Sequence, residues 1–200
     1  MTEDVKILVR VFADEQTILQ KLSKFEFIGQ DRMIDTYYYD PLRPDFRPDE
    51  TGRLNPRLRL RRQDGIGFLT YKTDHYKGDE WGYSDRVDID VDDTDALHGI
   101  LYSLGLRELV TVDTFCRIYR AGDYRVVFQD IADLGLFISV ECCADTTEIG
   151  MPQVKRQMQY FVDTLGLSVS PALNTSKPEL MLSHRVLSMP DRKPKTFWDE

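Results

Sequence analysis

Positively charged residues recur at alternating positions in several segments that have the pattern of β-strands. Arg59 and Arg61 alternate with leucine in the segment RLRLRR, and Lys72, Arg86 and Arg117 occupy similar segments further along the chain. Alternate residues of a strand share one face of a sheet. The planar guanidinium of arginine suits bidentate contacts with phosphate. The pattern therefore fits either a polar outer surface or a cavity that holds a phosphate-bearing ligand.

Strands are predicted on both sides of these residues. Asp64-Gly65 is a typical two-residue hairpin turn between RLRLRR and GFLTYK. Four prolines between residues 41 and 56 predict a long loop. From the alternation of apolar and polar residues, we predict strands at residues 5–12, 36–39, 57–83 with the hairpin inside, 86–91, 110–120, 124–131 and 136–142.

Three amphipathic helices are predicted to cover the apolar faces of these strands. Asp14 and Thr94 are suited to cap the first two helices, and Gly105 is suited to end the second. The third helix is predicted to begin at Pro152 and to end near Gly166. If the polar faces of the strands turn inward and the helices lie outside, a barrel would gather the basic residues around one cavity.

Composition limits the class of protein. The formal net charge of −8 argues against a general nucleic-acid binder. No apolar run is long enough to span a membrane, and the first residues lack the basic and apolar regions of a signal peptide. Three cysteines without Cys-x-x-Cys spacing predict reduced thiols. We expect a cytoplasmic protein with one domain over residues 1–189, a flexible tail over residues 190–200, and no nucleic-acid or membrane partner.

An ordered series of short motifs over most of the chain resembles the CYTH superfamily, which includes class IV adenylyl cyclases, thiamine triphosphatases and inorganic triphosphatases. The segment DTYY at 35–38 is similar to the family's Asp-Thr-Tyr-Phe, RLR at 59–61 to Arg-x-Arg, LTYK at 69–72 to Leu-Thr-x-Lys, and RVD at 86–88 to Arg-x-Glu. The series continues with Arg117 and Tyr119, which resemble the family's Arg-x-x-Tyr region offset by one residue, and with Asp130, LG at 134–135, VE at 140–141 and SKPELM at 176–181.

This resemblance implies an α+β fold, an eight-stranded antiparallel β-barrel of the triphosphate tunnel type with covering helices. It also implies that inward basic side chains hold a triphosphate and that inward carboxylates hold Mg²⁺ or Mn²⁺. The predicted phosphate-binding residues are Lys6, Arg10, Arg59, Arg61, Lys72, Arg86 and Arg117. The candidate metal ligands are Asp130, Glu141 and Asp88.

The first strand departs from the family's Glu-x-Glu-x-Lys signature. Its best register is KILVR, from Lys6 to Arg10, which contains no carboxylate. The late Glu-x-Glu reads Ser139-Val140-Glu141, so one carboxylate remains there. Two carboxylates could still hold one Mg²⁺ or Mn²⁺ weakly, with waters and substrate phosphates as the other ligands. Lys6 either replaces the charge of the metal or faces solvent at a fraying strand end.

Three functions remain as hypotheses. The leading one is a protein that binds a nucleotide or other organic polyphosphate in its tunnel without catalysis, for sequestration or sensing. An active enzyme would be a metal-dependent triphosphatase or a class IV adenylyl cyclase. The third hypothesis is a structural or protein-binding barrel in which internal salt bridges occupy the tunnel charges.

Overall fold

The computed structural model describes residues 2–3, 5–78, 80–143 and 150–187. The predicted tail, residues 190–200, lies outside the described residues. The described strands are β1 (Thr2–Glu3), β2 (Lys6–Arg10), β3 (Glu26–Tyr39), β4 (Arg57–Gln63), β5 (Ile66–Lys77), β6 (Glu80–Val91), β7 (Arg107–Ala121), β8 (Tyr124–Ile131) and β9 (Gly135–Cys142). The described helices are α1 (Glu15–Leu22), α2 (Thr94–Ser103), α3 (Met151–Asp163) and α4 (Lys177–Leu187).

All these strands belong to one antiparallel sheet, in the order β1-β6-β5-β4-β3-β7-β8-β9-β2. β1 pairs with β6 at one end of the sheet, and β2 pairs with β9 at the other. Only residues 4 and 5 separate β1 from β2, so one short length of chain brings the two ends of the curled sheet together. Counted as one interrupted strand, β1 and β2 complete the predicted eight-stranded antiparallel barrel. The α+β fold class is confirmed.

The hairpin between β4 and β5 forms as predicted. Asp64 and Gly65 have φ angles of 46° and 80°, which a two-residue type I′ turn requires. β3, in contrast, begins at Glu26 and not near residue 36. In the first half of β3, apolar and polar residues do not alternate regularly, because the register of its pairing with β7 shifts between Phe27 and Gly29.

The helix caps follow the prediction in part. Asp14 caps α1, and its carboxylate accepts a hydrogen bond of 2.8 Å from the backbone N–H of Thr17. The prediction that Thr94 caps α2 is wrong by one residue. The carboxylate of Asp93 accepts from two backbone N–H groups of the first turn, whereas the hydroxyl of Thr94 accepts from Arg62 Nε at 3.0 Å.

α4 is absent from the sequence prediction and fills one end of the barrel interior. Its Met181 and Leu182 are buried in one cluster with inward residues of the strands, among them Tyr37 and Phe137. The first turn of α4, which starts at Lys177, therefore faces the part of the interior that remains open.

The other helices pack on the outside of the barrel. α1 and α3 bury Ile18 and Met158 against the outer face of β2, β8 and β9, and α2 buries Leu101 against β4. The predicted covering is partial, because Val87 and Ile89 on the outer face of β6 are 49% and 55% exposed. No described helix combines the length and the apolar character needed to cross a membrane.

The packing of α3 predicts a large effect of Met158→Ala on stability. Met158 has no exposed surface, and truncation of a buried methionine costs about 2–5 kcal/mol because it leaves a cavity. Denaturant-induced unfolding measures this loss. Tyr160→Ala on the same helix is the control, because Tyr160 is 72% exposed and its loss should change the free energy of unfolding by less than about 1 kcal/mol. Equal effects of the two variants would contradict the packing of α3.

Candidate functional site

A cavity of about 280 Å³ lies inside the barrel, beside the first turn of α4. Strand alternation decides which side chains line it. β4 contributes Arg57, Arg59 and Arg61, and β9 contributes Ser139 and Glu141. Residues 173–178, which lead into α4, complete the wall. The polar faces of the strands thus turn inward. This agrees with the interpretation of the alternation as the lining of a cavity and not as a polar outer surface.

Five of the seven predicted phosphate-binding residues line this cavity. They are Lys6, Arg59, Arg61, Lys72 and Arg86. These residues are far apart in sequence and come from β2, β4, β5 and β6.

Arg10 and Arg117 lie outside the cavity lining. Cys116 faces the cavity, so its neighbour Arg117 points to the opposite side of β7, where Arg117 Nη1 lies 2.9 Å from Glu15 Oε1 of α1. Arg10 stands at the end of β2. Its Nη1 donates to the carbonyl of Leu134 at 2.6 Å, and its guanidinium lies over the ring of Phe137.

Three basic residues of the lining are absent from the predicted set: Arg57, Arg125 and Lys177. Arg57 continues the alternation of Arg59 and Arg61 in the sequence, so the same signal could have found it. Lys177 lies in the closing motif SKPELM, but without α4 its direction could not be inferred. Arg125 has no comparable signal, because it stands alone near the start of β8.

Asp35 is the buried centre of the basic cluster. Its side chain has no exposed surface and accepts from Arg61 Nε at 2.6 Å and from Arg61 Nη2 at 2.8 Å. Arg59 Nη1 lies 3.5 Å from the same carboxylate. Burial alone would raise the pKa of Asp35, but the nearby charges of Arg59, Arg61 and Lys177 hold it well below its usual range. Asp35 is therefore ionised at neutral pH.

A chain of polar contacts continues from Arg59 to the other side of the cavity. Arg59 Nη2 donates to Thr70 Oγ1 at 2.7 Å, and that hydroxyl donates to Asp88 Oδ1 at 2.6 Å. Asp88 also pairs with Arg86. The Nε of Arg59 is buried and has no hydrogen-bond partner among the described residues. A buried donor without a partner is costly, so the protein leaves part of the hydrogen-bonding capacity of Arg59 unused.

A second buried ion pair joins Arg57 to Asp74. The two side chains are 8% and 2% exposed, and the hydroxyl of Ser84 donates to the same carboxylate oxygen. The backbone of Asp74 is held by Asn55, whose side chain exchanges two hydrogen bonds with it at 2.8 and 2.9 Å. These contacts fix the orientation of Arg57 at the cavity wall.

Glu179 anchors the first turn of α4 beside the cavity. Its buried carboxylate accepts from the backbone N–H of Leu54 at 2.8 Å and from that of Ser176 at 2.6 Å. Lys177 is thereby directed into the cavity, where Nζ lies 3.5 Å from Thr114 Oγ1. Burial, only partly opposed by the charge of Asp35, lowers the pKa of the Lys177 amine to about 8.

The three candidate metal ligands do not come together. Asp130 is exposed and outside the lining, because Gln129 beside it faces the cavity. Asp88 pairs with Arg86, and Glu141 Oε2 lies 2.7 Å from Arg125 Nη1. Within the described ranges, no group of three or more histidine, cysteine, aspartate or glutamate side chains could hold a metal. Of the candidate ligands, Asp88 and Glu141 would each have to leave an arginine partner before they could coordinate a divalent ion together with waters and substrate phosphates.

The Asp35 cluster predicts that Asp35→Asn is strongly destabilising. The variant leaves two largely buried guanidinium groups without their carboxylate, which costs roughly 3–5 kcal/mol of unfolding free energy at pH 7. Asp130→Asn, at an exposed position, should cost less than about 0.5 kcal/mol. Denaturant unfolding of both variants measures the difference.

The difference in unfolding free energy between the wild type and Asp35→Asn should become smaller at low pH. The pKa of Asp35 is lower in the folded protein than in the unfolded chain, so its contribution is complete above the unfolded value of about 3.9. It is lost as the pH falls through the folded-state pKa. A gap between wild type and Asp35→Asn that grows below pH 4 would contradict the ion pairs.

Comparisons with known proteins agree with this architecture. No protein-family model matches the chain. A curated protein of Methanocaldococcus jannaschii, provisionally named an adenylate cyclase, is 26% identical over 181 residues, which cover 88% of this chain and 97% of that protein.

Two solved structures show the same fold. A Pyrococcus horikoshii protein superposes with a TM-score of 0.70 at 22% identity and covers 89% of this chain and 98% of its own. A Hippeastrum protein, provisionally named an adenylyl cyclase and described as having a dominant triphosphatase activity, has a TM-score of 0.62 at 13% identity and covers 90% of this chain and 95% of its own. These likenesses agree with the resemblance to the CYTH superfamily that the motifs predict, and they show that the chain has the fold of these structures.

Proposed function

We propose that this protein binds a nucleotide or other organic polyphosphate in the barrel cavity and that it does so without a divalent metal. The observation that carries the proposal is the excess of positive charge in the cavity. Eight described basic side chains line it: Lys6, Arg57, Arg59, Arg61, Lys72, Arg86, Arg125 and Lys177. The whole chain has a net charge of −8, so this concentration of positive charge is local.

Ion pairs inside the barrel reduce this charge but do not cancel it. Six described carboxylates lie in or next to the lining: Asp31, Asp35, Asp74, Asp88, Glu141 and Glu179. Among the described residues, the basic groups therefore exceed the acidic ones by two when all are ionised. Enclosed charge of one sign attracts ligands of the opposite sign, because low-dielectric walls focus the field. A compact anion with several charges is the ligand that matches.

The size of the cavity favours the phosphate part of a larger molecule. A volume of about 280 Å³ is near the lower end of ordinary ligand sites, which hold roughly 300–1,000 Å³. Guanidinium groups that converge from several strands match a chain of phosphates, because each phosphate offers oxygens in the geometry of an arginine fork. The organic group of the ligand would then extend beyond the arginines.

The pairing of the cavity carboxylates with arginines favours binding over catalysis. Metal-assisted phosphoryl transfer needs acidic ligands for the ion that neutralises the transferring group. Asp88 and Glu141 are both paired with arginines here, and Lys6 and Arg10 occupy the ends of the changed first-strand motif. Sequestration or sensing of the anion is thus the use that the side chains support best. The names of the relatives point to the alternative, hydrolysis or cyclisation of a nucleoside triphosphate.

A structural or protein-binding barrel is the second alternative. The observation in its favour is the number of internal ion pairs, since Arg57, Arg59, Arg61, Arg86 and Arg125 each have a carboxylate partner. Against it stand the excess of two basic groups among the described residues and the unpartnered Nε of Arg59.

The proposal predicts that tripolyphosphate and ATP bind to the protein and that Arg59→Gln weakens this binding. Loss of a charge-assisted contact costs about 1.5–3 kcal/mol, which is roughly a tenfold to hundredfold increase in Kd. Arg117→Gln is the matched control, because Arg117 is on a barrel strand but faces Glu15 outside the cavity; its Kd should equal that of the wild type. Titration calorimetry measures all three proteins. Equal weakening by both substitutions, or no binding to the wild type, would contradict the proposal.

Metal independence gives a separate prediction. The affinity for tripolyphosphate should be no higher when the anion is saturated with Mg²⁺ or Mn²⁺ than when excess EDTA removes the ion. No phosphate or pyrophosphate should be released from ATP at a rate above that of the Arg59→Gln variant. Metal-dependent release that Arg59→Gln abolishes would instead identify an enzyme.

A further inference from the structure

Lys177 is a cavity residue whose amine lies among other basic groups. It stands at the first position of α4, and its Nζ has Thr114 Oγ1 at 3.5 Å. The charged and titratable groups that act on it come from four strands: Lys6 of β2, Asp35 of β3, Arg59 and Arg61 of β4, and Cys116 of β7. Asp35 is the one carboxylate of this set, and it already pairs with both arginines.

The empty cavity therefore disfavours the ammonium form of Lys177. The half-buried position of Lys177 removes part of the hydration of the charge, and Arg61, Lys6 and Arg59 repel it, whereas the attraction of Asp35 compensates only in part. Loss of one proton from Lys177 relieves this repulsion, which an arginine at the same place could not do because its pKa is above about 12. The pKa of the amine, about 8, lies in a range where protonation can change under ordinary conditions.

We propose that binding of a polyphosphate anion in this cavity is coupled to the uptake of one proton by the amine of Lys177. This inference rests on the proposed function. Several negative charges among Arg59, Arg61 and Lys177 replace repulsion by attraction, so the amine holds its proton more tightly in the complex than in the empty cavity. The proton comes from the buffer and binds to Nζ, and no other bond is made or broken.

The direction of the pH dependence follows from this coupling. Below about pH 8 the amine is protonated in both states, and binding takes up little proton. Above that value the empty protein loses the proton and the complex retains it, so the affinity decreases with increasing pH. The decrease approaches but does not exceed about tenfold per pH unit, which is the limit for one coupled proton.

Titration calorimetry with tripolyphosphate, in two buffers of different ionisation enthalpy, measures the number of protons taken up. For the wild type we expect roughly 0.7 proton per anion at pH 8.5 and about 0.1 at pH 7, given an amine pKa of about 8 in the empty cavity. Lys177→Arg should bind the anion without this uptake, because arginine stays charged at both pH values. Lys21→Arg is the matched control, because Lys21 is an exposed lysine of α1 on the outside of the barrel, and it should retain the uptake of the wild type.

Lys177→Met is a second variant at this position, for use if an arginine side chain is too large to fit. It should bind more weakly than the wild type at pH 7 and, like Lys177→Arg, should lack the extra uptake at pH 8.5. Protonation of the ligand itself is common to all variants and cancels in the comparison. Uptake that persists in both Lys177 variants, or that disappears in Lys21→Arg, would overturn this inference while leaving the binding function intact. Absence of binding by the wild type at both pH values would reject the binding function itself.

Discussion

The contact between Asp35 and the two arginines of β4 is the interaction on which the cavity depends. Arg59 and Arg61 are neighbours on the inward face of one strand, and without a carboxylate their charges would oppose closure of the barrel around them. Asp35 is opposite Arg61 in the ladder between β3 and β4, so the strand register itself supplies the compensating charge. Such a pair is costly to bury but much more costly to break.

The three other arginines of the cavity follow the same rule. Arg57 uses Asp74, Arg86 uses Asp88, and Arg125 uses Glu141. The pairing fixes the guanidinium groups in position before any ligand arrives, and preorganised donors lose little conformational freedom on binding. The carboxylates that perform this role are the same ones that would otherwise be available to a metal. In this cavity, orientation of the arginines and coordination of an ion compete for the same groups.

Much of the fold could be predicted from the sequence, because its strands alternate cleanly. The alternation in RLRLRR and the Asp-Gly turn after it predict the β4–β5 hairpin, and they place Arg59 and Arg61 on one face of the strand. Predictions failed where the pattern was interrupted or incomplete. Arg117 was assigned from a motif offset by one residue, and a shift of one residue reverses the face of a strand. The role of Lys177 depends on α4, whose position inside the barrel is decided by tertiary packing and not by local propensity.

The N-terminal segment has a consequence for how the molecule assembles. Its two short strands join the ends of the sheet, and Lys6 lies opposite Glu141 in the ladder between β2 and β9. Lys6 and Glu141 are separated by more than half of the chain. Contacts between residues so distant in sequence slow folding, because a long loop must close before they form. The Lys6 side of the cavity depends on this distant pairing, so it exists only when the barrel is closed.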